Sequence, residues 1–445
     1  MTEPDATRVA GVGIDSVTAA RRTAYQALIA VGVGAACGFA TWLFIFVDHH
    51  GVNFLWEELP QQVPGIPAWV VPVAVVLLMT LLATLVVILA KGRPFDMGHA
   101  EAEYDEHGRM EYRHLLSGTA FSLFSLFSGA AVGPEAPLTD INGGIGTFVG
   151  DRLRMKPEQV KVMAYAGVAG AFSAFFGAAP IGALLAAELI SPKSLNISRT
   201  TVVSGLAAGA SGWVVYTMLG GGEISPILVF PGLETLRLTD IGTAILLGAV
   251  GGLLGVAYGA LLVKMRTRLL GLRQRPAAAG IAGGAVLALA AVASPYLLFS
   301  GQSQTTTVIS DAATLGILAL LALGVGKLLL SAWCLSTAYF GGPIFPLIFA
   351  GTCFGLAVNL LLPGIPQGVT VLAIVSGMVV AAAVAPLSVT IFLALLADPA
   401  LTSIIAVAAV FGFIVRQLIA PTLPGVHRAT HAAERRVSEA ASETP

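Results

Sequence analysis

The chain has 445 residues, of which 56% are hydrophobic and 11% charged, and a mean hydropathy of +0.85; soluble domains carry about a quarter charged residues, so a soluble fold is excluded. An all-α polytopic protein embedded in the lipid bilayer is expected. The formal net charge of -1 gives no electrostatic basis for a nucleic-acid partner.

In chain order, residues 1–22 carry Arg8, Arg21 and Arg22 beside Glu3, Asp5 and Asp15. They lack the apolar core and cleavage site of a signal peptide, and a cytoplasmic N-terminal segment is expected. Apolar stretches of spanning length follow at 23–47, 66–90, 199–219, 240–263, 277–299 and 313–335. Between and after them, 115–191 and 343–422 are cut by Gly and Pro into shorter pieces, which predicts broken helices. The segment 423–445 reads as a short cytoplasmic tail. Cys37, Cys334 and Cys353 lie in apolar runs and read as packing residues, not as disulfides or zinc ligands. His99, His107 and His114 sit among acidic residues without tight ligand spacing, so no metal and no cofactor are expected.

Basic residues in short loops set the orientation. Loop 48–65 has Glu57 and Glu58 and no Lys or Arg, while Lys91 and Arg93 follow the second span. Lys264, Arg266, Arg268, Arg273 and Arg275 form the strongest basic cluster, and 300–309 is an uncharged loop. The N-terminus is then inside, 23–47 runs outward, 240–263 runs inward, and 300–309 is outside. Two halves of opposite topology, 23–219 and 240–422, follow as an inverted repeat.

Two interrupted loops anchor that repeat. Gly133-Pro134-Glu135-Ala136-Pro137 sets one carboxylate among helix breakers, and Gly341-Gly342-Pro343-Ile344-Phe345-Pro346 stands in the other half. Ala179-Pro180 and Ala385-Pro386 follow, with Pro137 to Pro180 spanning 43 residues and Pro346 to Pro386 spanning 40. Broken backbone at membrane depth is tolerated only where it is buried or lines a cavity. A helix starting near Ala136 turns unpaired N–H groups and its positive dipole end back on the loop, an anion site with no basic side chain. Gly342 to Phe345 offer the same from the other half. Glu135 can occupy such a site itself, as a tethered competitor of a free anion, and a carboxylate in low dielectric takes up protons readily. The plainer reading of Glu135 is a first-turn glutamate that complements its helix dipole. Asp140 either tunes Glu135 or is a buried carboxylate bonded to Asn142 or neighbouring backbone.

The Gly-Pro-Glu-Ala-Pro loop, followed by Ile141-Asn142-Gly143-Gly144-Ile145-Gly146, resembles the Gly-Arg-Glu-Gly-Pro region of the chloride channel (CLC) family of anion channels and anion/proton antiporters. Lys327 through Phe345, ending in Gly-Gly-Pro-Ile-Phe-Pro, is similar to the stretch that closes on that family's Gly-x-Phe-x-Pro filter motif. The two Ala-Pro pairs match its helix starts. The resemblance implies a CLC-like inverted repeat, a homodimer with one pore per subunit in the plasma (inner) membrane, and Glu135 as gate and proton acceptor. It also implies an anion site built mostly from the backbone of Gly133, Ala136, Gly342, Pro343, Ile344 and Phe345. Several positions depart from the family. Pro343 lacks the N–H the family has there, which shifts the site toward Ile344 and Phe345. Asp96-Met97-Gly98-His99-Ala100 stands for the first filter loop, with Met97 at the serine position, and Ala400 stands for the family tyrosine. Glu188 resembles the inner glutamates of the family, either the proton relay or its structural neighbour.

Transport of chloride or a related small anion through a glutamate-gated pore is the expected function, with channel and proton-coupled antiporter both open. The alternatives are a fluoride-selective antiporter and a non-conducting scaffold or sensor of the same fold. No nucleophile and base, metal cluster or phosphate loop suggests an enzyme.

Overall fold

In a computed structural model, residues 6–90, 104, 106–190, 198–224, 228–233 and 235–423 are described. The architecture is all-α, and the pairing of Gly133 with Gly342 is an isolated bridge outside any strand. The longer helices are α1 (Ala6–Asn53), α2 (Val70–Leu89), α3 (Leu115–Phe127), α4 (Glu135–Arg152), α5 (Pro157–Phe176), α6 (Ala179–Ile190), α7 (Arg199–Met218), α8 (Leu238–Arg268), α9 (Pro276–Ala293), α10 (Gln302–Ser336), α11 (Ile344–Leu361), α12 (Gln367–Ala383), α13 (Pro386–Leu396) and α14 (Thr402–Ile419). Eight helical segments among the described residues are long and apolar enough to cross a membrane.

The segments dense in Gly and Pro resolve into short helices. α3, α6 and α13 have 13, 12 and 11 residues, too few to cross about 30 Å of hydrocarbon at 1.5 Å per residue. α5 and α11 are largely buried, whereas α2, α9 and α10 leave most of their apolar surface facing outward, as lipid contact requires. One expectation is corrected. Residues 300–309 are not a loop: α10 begins at Gln302, capped by Gly301 with φ 97, and breaks only at Gly316 with φ 73 and ψ 172. The polar run Gln302-Ser303-Gln304-Thr305-Thr306-Thr307 hides a helix from a reading based on apolar length.

The chain packs as two compact units. One draws on Met1–Leu43, Glu103–Arg113 and Thr139–Gly221, the other on Phe44–Ala102, His114–Leu138 and Gly222–Pro445. In the first, Ala30, Val33, Cys37, Met163, Ala166 and Ala208 form the core between α1, α5 and α7. Asn142 donates to Thr41 Oγ1 at 3.3 Å there, so its amide ties α4 to α1. In the second, α8, α12 and α14 meet backbone to backbone. A Cβ on Gly377 would lie 2.1 Å from Gly248 O, and one on Gly412 would lie 2.4 Å from Gly377 Cα. Small residues permit this approach, which supplies dispersion contacts where lipid gives no hydrophobic drive.

Gly377→Val is therefore expected to cost about 3 kcal/mol or more, since packed helices must separate, and to lower the melting temperature in detergent sharply. Gly259, in the same α8 but with nothing within 4 Å of an added Cβ, is the control: Gly259→Ala should be neutral or stabilise by up to about 1 kcal/mol. Equal melting of the two variants would contradict the close-packing account.

Candidate functional site

The site forms in the second unit, where two loops of the same grammar meet. Gly133-Pro134 precedes α4 and Gly342-Pro343 precedes α11. Proline fits a helix start, where its missing N–H would be an orphan in any case. The ladders begin at once: Leu138 N–H donates to Pro134 O at 3.0 Å, and Leu347 N–H to Pro343 O at 3.0 Å. The first two amides of each helix, those of Glu135 and Ala136 and those of Ile344 and Phe345, thus stand outside their own ladder. The third residue is proline in both, Pro137 and Pro346, so each helix start offers two donors and no more.

Backbone pairing locks the loops together. Gly133 N–H donates to Gly342 O at 2.7 Å and Gly342 N–H to Gly133 O at 2.8 Å. Between them lies the Glu135 side chain, with no solvent exposure. Phe345 N–H donates to Glu135 Oε1 at 3.2 Å, and the amides of Ile344 and of Glu135 itself act on the same carboxylate. The negative group therefore rests at the positive ends of α4 and α11 together. Only glycine leaves room for it. A Cβ on Gly133 would lie 2.2 Å from Glu135 Oε2, and one on Gly342 2.3 Å from the same atom.

The surroundings are apolar and closed. Ala136 packs with Ala83, Phe121 and Phe340, and the rings of Phe121 and Phe340 stack in parallel at 6.1 Å. Ser125 Oγ donates to Phe121 O at 2.8 Å and accepts Phe340 N–H at 3.1 Å. That bond fixes the segment leading into Gly342. Tyr258 is buried, shares a 3.1 Å hydrogen bond with Ser331, and lies within electrostatic range of Glu135.

Of the residues singled out from sequence, Gly133, Glu135, Ala136, Gly342, Pro343, Ile344 and Phe345 come together here. Pro343 is the N-cap of α11, and the donor measured on the carboxylate belongs to Phe345. Glu188 is half-buried near the end of α6. Ala400 lies in a 3-10 turn, Pro399–Leu401, where its N–H donates to Asp398 Oδ1 at 2.9 Å. Met97, Gly98 and His99 lie outside the described residues. Asp140 is half-buried on α4. Sequence reasoning missed Ser125, Tyr258 and Phe340, whose contacts are long-range, and used Lys327 only to mark a motif.

Residues 96–417 match the voltage-gated chloride channel family. The H(+)/Cl(-) exchange transporter ClcA of Vibrio cholerae serotype O1 is 27% identical over 245 residues, covering 53% of this chain and 51% of that protein. This chain therefore spans about half the length of that relative. ClcA of Vibrio parahaemolyticus is 24% identical over 342 residues, covering 74% and 72% of the two chains. Among solved structures, a slow cyanobacterial Cl-/H+ antiporter superposes with a TM-score of 0.75 at 20% identity, over 93% of this chain and 98% of that one. A CLC-type fluoride/proton antiporter gives 0.72 at 14% identity, over 88% and 95%. The fold is the polytopic all-α fold of these antiporters, and the chain belongs to the voltage-gated chloride channel (CLC) family.

Proposed function

We propose that this protein transports a small inorganic anion across a membrane, with Glu135 as a tethered competitor for the anion site and as the proton carrier that couples the two fluxes. One observation carries the reading: the Glu135 carboxylate receives the Phe345 N–H at the paired starts of α4 and α11. A hydrogen bond to a charged group contributes about 1.5–3 kcal/mol. The charged form of Glu135 therefore holds the site against a free anion, and the protonated form holds it weakly. Proton uptake releases the amides to the anion, and anion departure lets the carboxylate return. Flux is expected to rise as pH falls, because the neutral side chain yields the donors. The named relatives are exchange transporters, which supports coupled exchange over a simple channel.

Chloride is the first candidate anion. Fluoride is the second, because Met97 at the serine position of the first filter loop withdraws a hydroxyl ligand and leaves coordination to backbone amides. On the resemblance, the protein is a homodimer of the inner membrane with one pore per subunit and cytoplasmic termini, and Glu188 is the candidate inner relay. The sequence halves 23–219 and 240–422 are proposed as the two inverted repeats.

In proteoliposomes with simultaneous anion and pH recording, Glu135→Gln should abolish proton coupling and flatten the pH dependence while changing the anion flux. Unchanged flux with intact pH dependence would remove Glu135 from the mechanism. No flux of chloride, fluoride, nitrate or bicarbonate in the wild-type protein would favour a non-conducting scaffold.

Gly342→Ala offers an independent check. The added methyl meets the movable end of the Glu135 side chain, so the carboxylate is displaced and the backbone is kept. The variant is expected to fold and to lose proton coupling about as fully as Glu135→Gln. Coupling retained at the wild-type ratio would show that the carboxylate does not need its place between the two glycines.

A further inference from the structure

Lys327, on α10, is fully buried. An ammonium without water needs all three of its N–H groups matched, and here each finds a carbonyl: Tyr296 O at 3.3 Å, Leu297 O at 3.0 Å and Leu298 O at 2.6 Å. Its charge lies 4.9 Å from the centre of the Phe349 ring. Three consecutive carbonyls rarely converge on one point, and their convergence shapes the chain that follows. Phe299 sits at φ 59, a left-handed conformation that a bulky side chain keeps only when its surroundings fix it.

What Phe299 does in that conformation connects Lys327 to the site. Its N–H donates to Gly129 O at 2.8 Å, and its ring packs edge-on against Trp56 at 4.9 Å. Trp56 donates from Nε1 to Phe127 O at 2.8 Å, and its ring lies 2.9 Å from where a Cβ on Gly129 would be. Trp56 is delivered by a π-helical stretch, Phe54–Glu58, at the end of α1, a local widening of the helix that is frequent at functional sites. Gly129, at φ 78, opens the loop that ends at Gly133 and Glu135. The Glu135 loop is thus held at its far end by Gly342 and at its near end by Phe299 and Trp56.

We propose that Lys327 is a positioning residue for Glu135: by gathering the carbonyls of Tyr296, Leu297 and Leu298 it sets the Phe299 amide on Gly129, and so fixes where the loop 129–133 meets Gly342. The inference deepens the gate reading of Glu135 and rests on it. The turn uses three N–H donors, which the lysine carries only as the charged ammonium.

Lys327→Met keeps the length of the side chain and removes the donors. The variant leaves the three carbonyls without their donor, at a cost of about 1–3 kcal/mol for each that finds no other partner, and that cost falls on the turn at 296–298. Hydrogen exchange followed by mass spectrometry should then accelerate by about tenfold in peptides covering 129–135 and 296–301, with exchange in α8, α12 and α14 unchanged. In proteoliposomes the number of protons moved per anion should fall. Lys327→Arg, which keeps N–H donors, should bring both readouts back toward wild type. Wild-type exchange at 129–135 in Lys327→Met, or acceleration spread over the whole protein, overturns the proposal. Should Lys327→Met fail to fold, Trp56→Phe decides, because it removes the bond to Phe127 O and keeps a ring beside Phe299: localised acceleration supports the proposal, and wild-type exchange overturns it. Exchange reads the loop without transport, so absence of anion flux in the wild-type protein overturns the gate reading, and unchanged exchange in the variants overturns this inference alone.

Discussion

The structure depends on a carboxylate that has been taken out of water and given backbone amides in return. Burying an unpaired charge is prohibitively costly, and the protein meets that cost with helix starts in place of basic side chains. A helix supplies free N–H groups only where it begins, so a site deep in the protein requires helices that begin there. The buried starts of α4 and α11 follow from this need. Broken helices are the means by which an apolar interior acquires donors.

The hydroxyls nearby do not compete for that role. Ser122 donates to Gly118 O at 2.7 Å and Thr352 to Ile348 O at 2.9 Å, each closing on its own helix one turn back. Ser125 does the same and is additionally spent on Phe340 N–H. The oxygens of Ser122, Ser125 and Thr352 are thus satisfied within the scaffold, and the amides of Ile344 and Phe345 face the carboxylate. A site made of amides discriminates by charge and by fit, since an N–H accepts any anion that can approach it. The prolines at 137 and 346 narrow it further by withholding a third donor from each helix.

Much of this was readable from the sequence because the constraints are local. Apolar length marks the spans from composition alone, and Gly-Pro punctuation puts one helix start near Ala136, a residue from its observed place, and donors within Gly342 to Phe345, where α11 begins at Ile344. What stayed hidden is long-range or runs against composition. Phe345 meets Glu135 across 210 positions, and Phe340 meets Ser125 across 215; neither partner has a local signature. The start of α10 escaped because Gln, Ser and Thr fill its first turns, and membrane helices are found by their apolar content. Lys327 did carry a signal, as an ionisable residue in an apolar run, but three backbone carbonyls are partners that no residue pattern encodes.

Side-chain length completes the argument. Glu135 belongs to α4, yet the donor measured on its carboxylate belongs to α11. The side chain lies between Gly133 and Gly342, where its own amide and those of Ile344 and Phe345 all act on the carboxylate. A shorter acid at this position would stay on its own first turn and cap one helix, which is the ordinary role of an acidic residue there. Two methylenes let the carboxylate sit between two helix starts. The backbone pair of glycines, the stacked Phe121 and Phe340 and the close-packed α8, α12 and α14 are all rigid elements. Between these packed elements the place of the carboxylate is set by the two glycines on either side of it, since a Cβ on either would meet Glu135 Oε2.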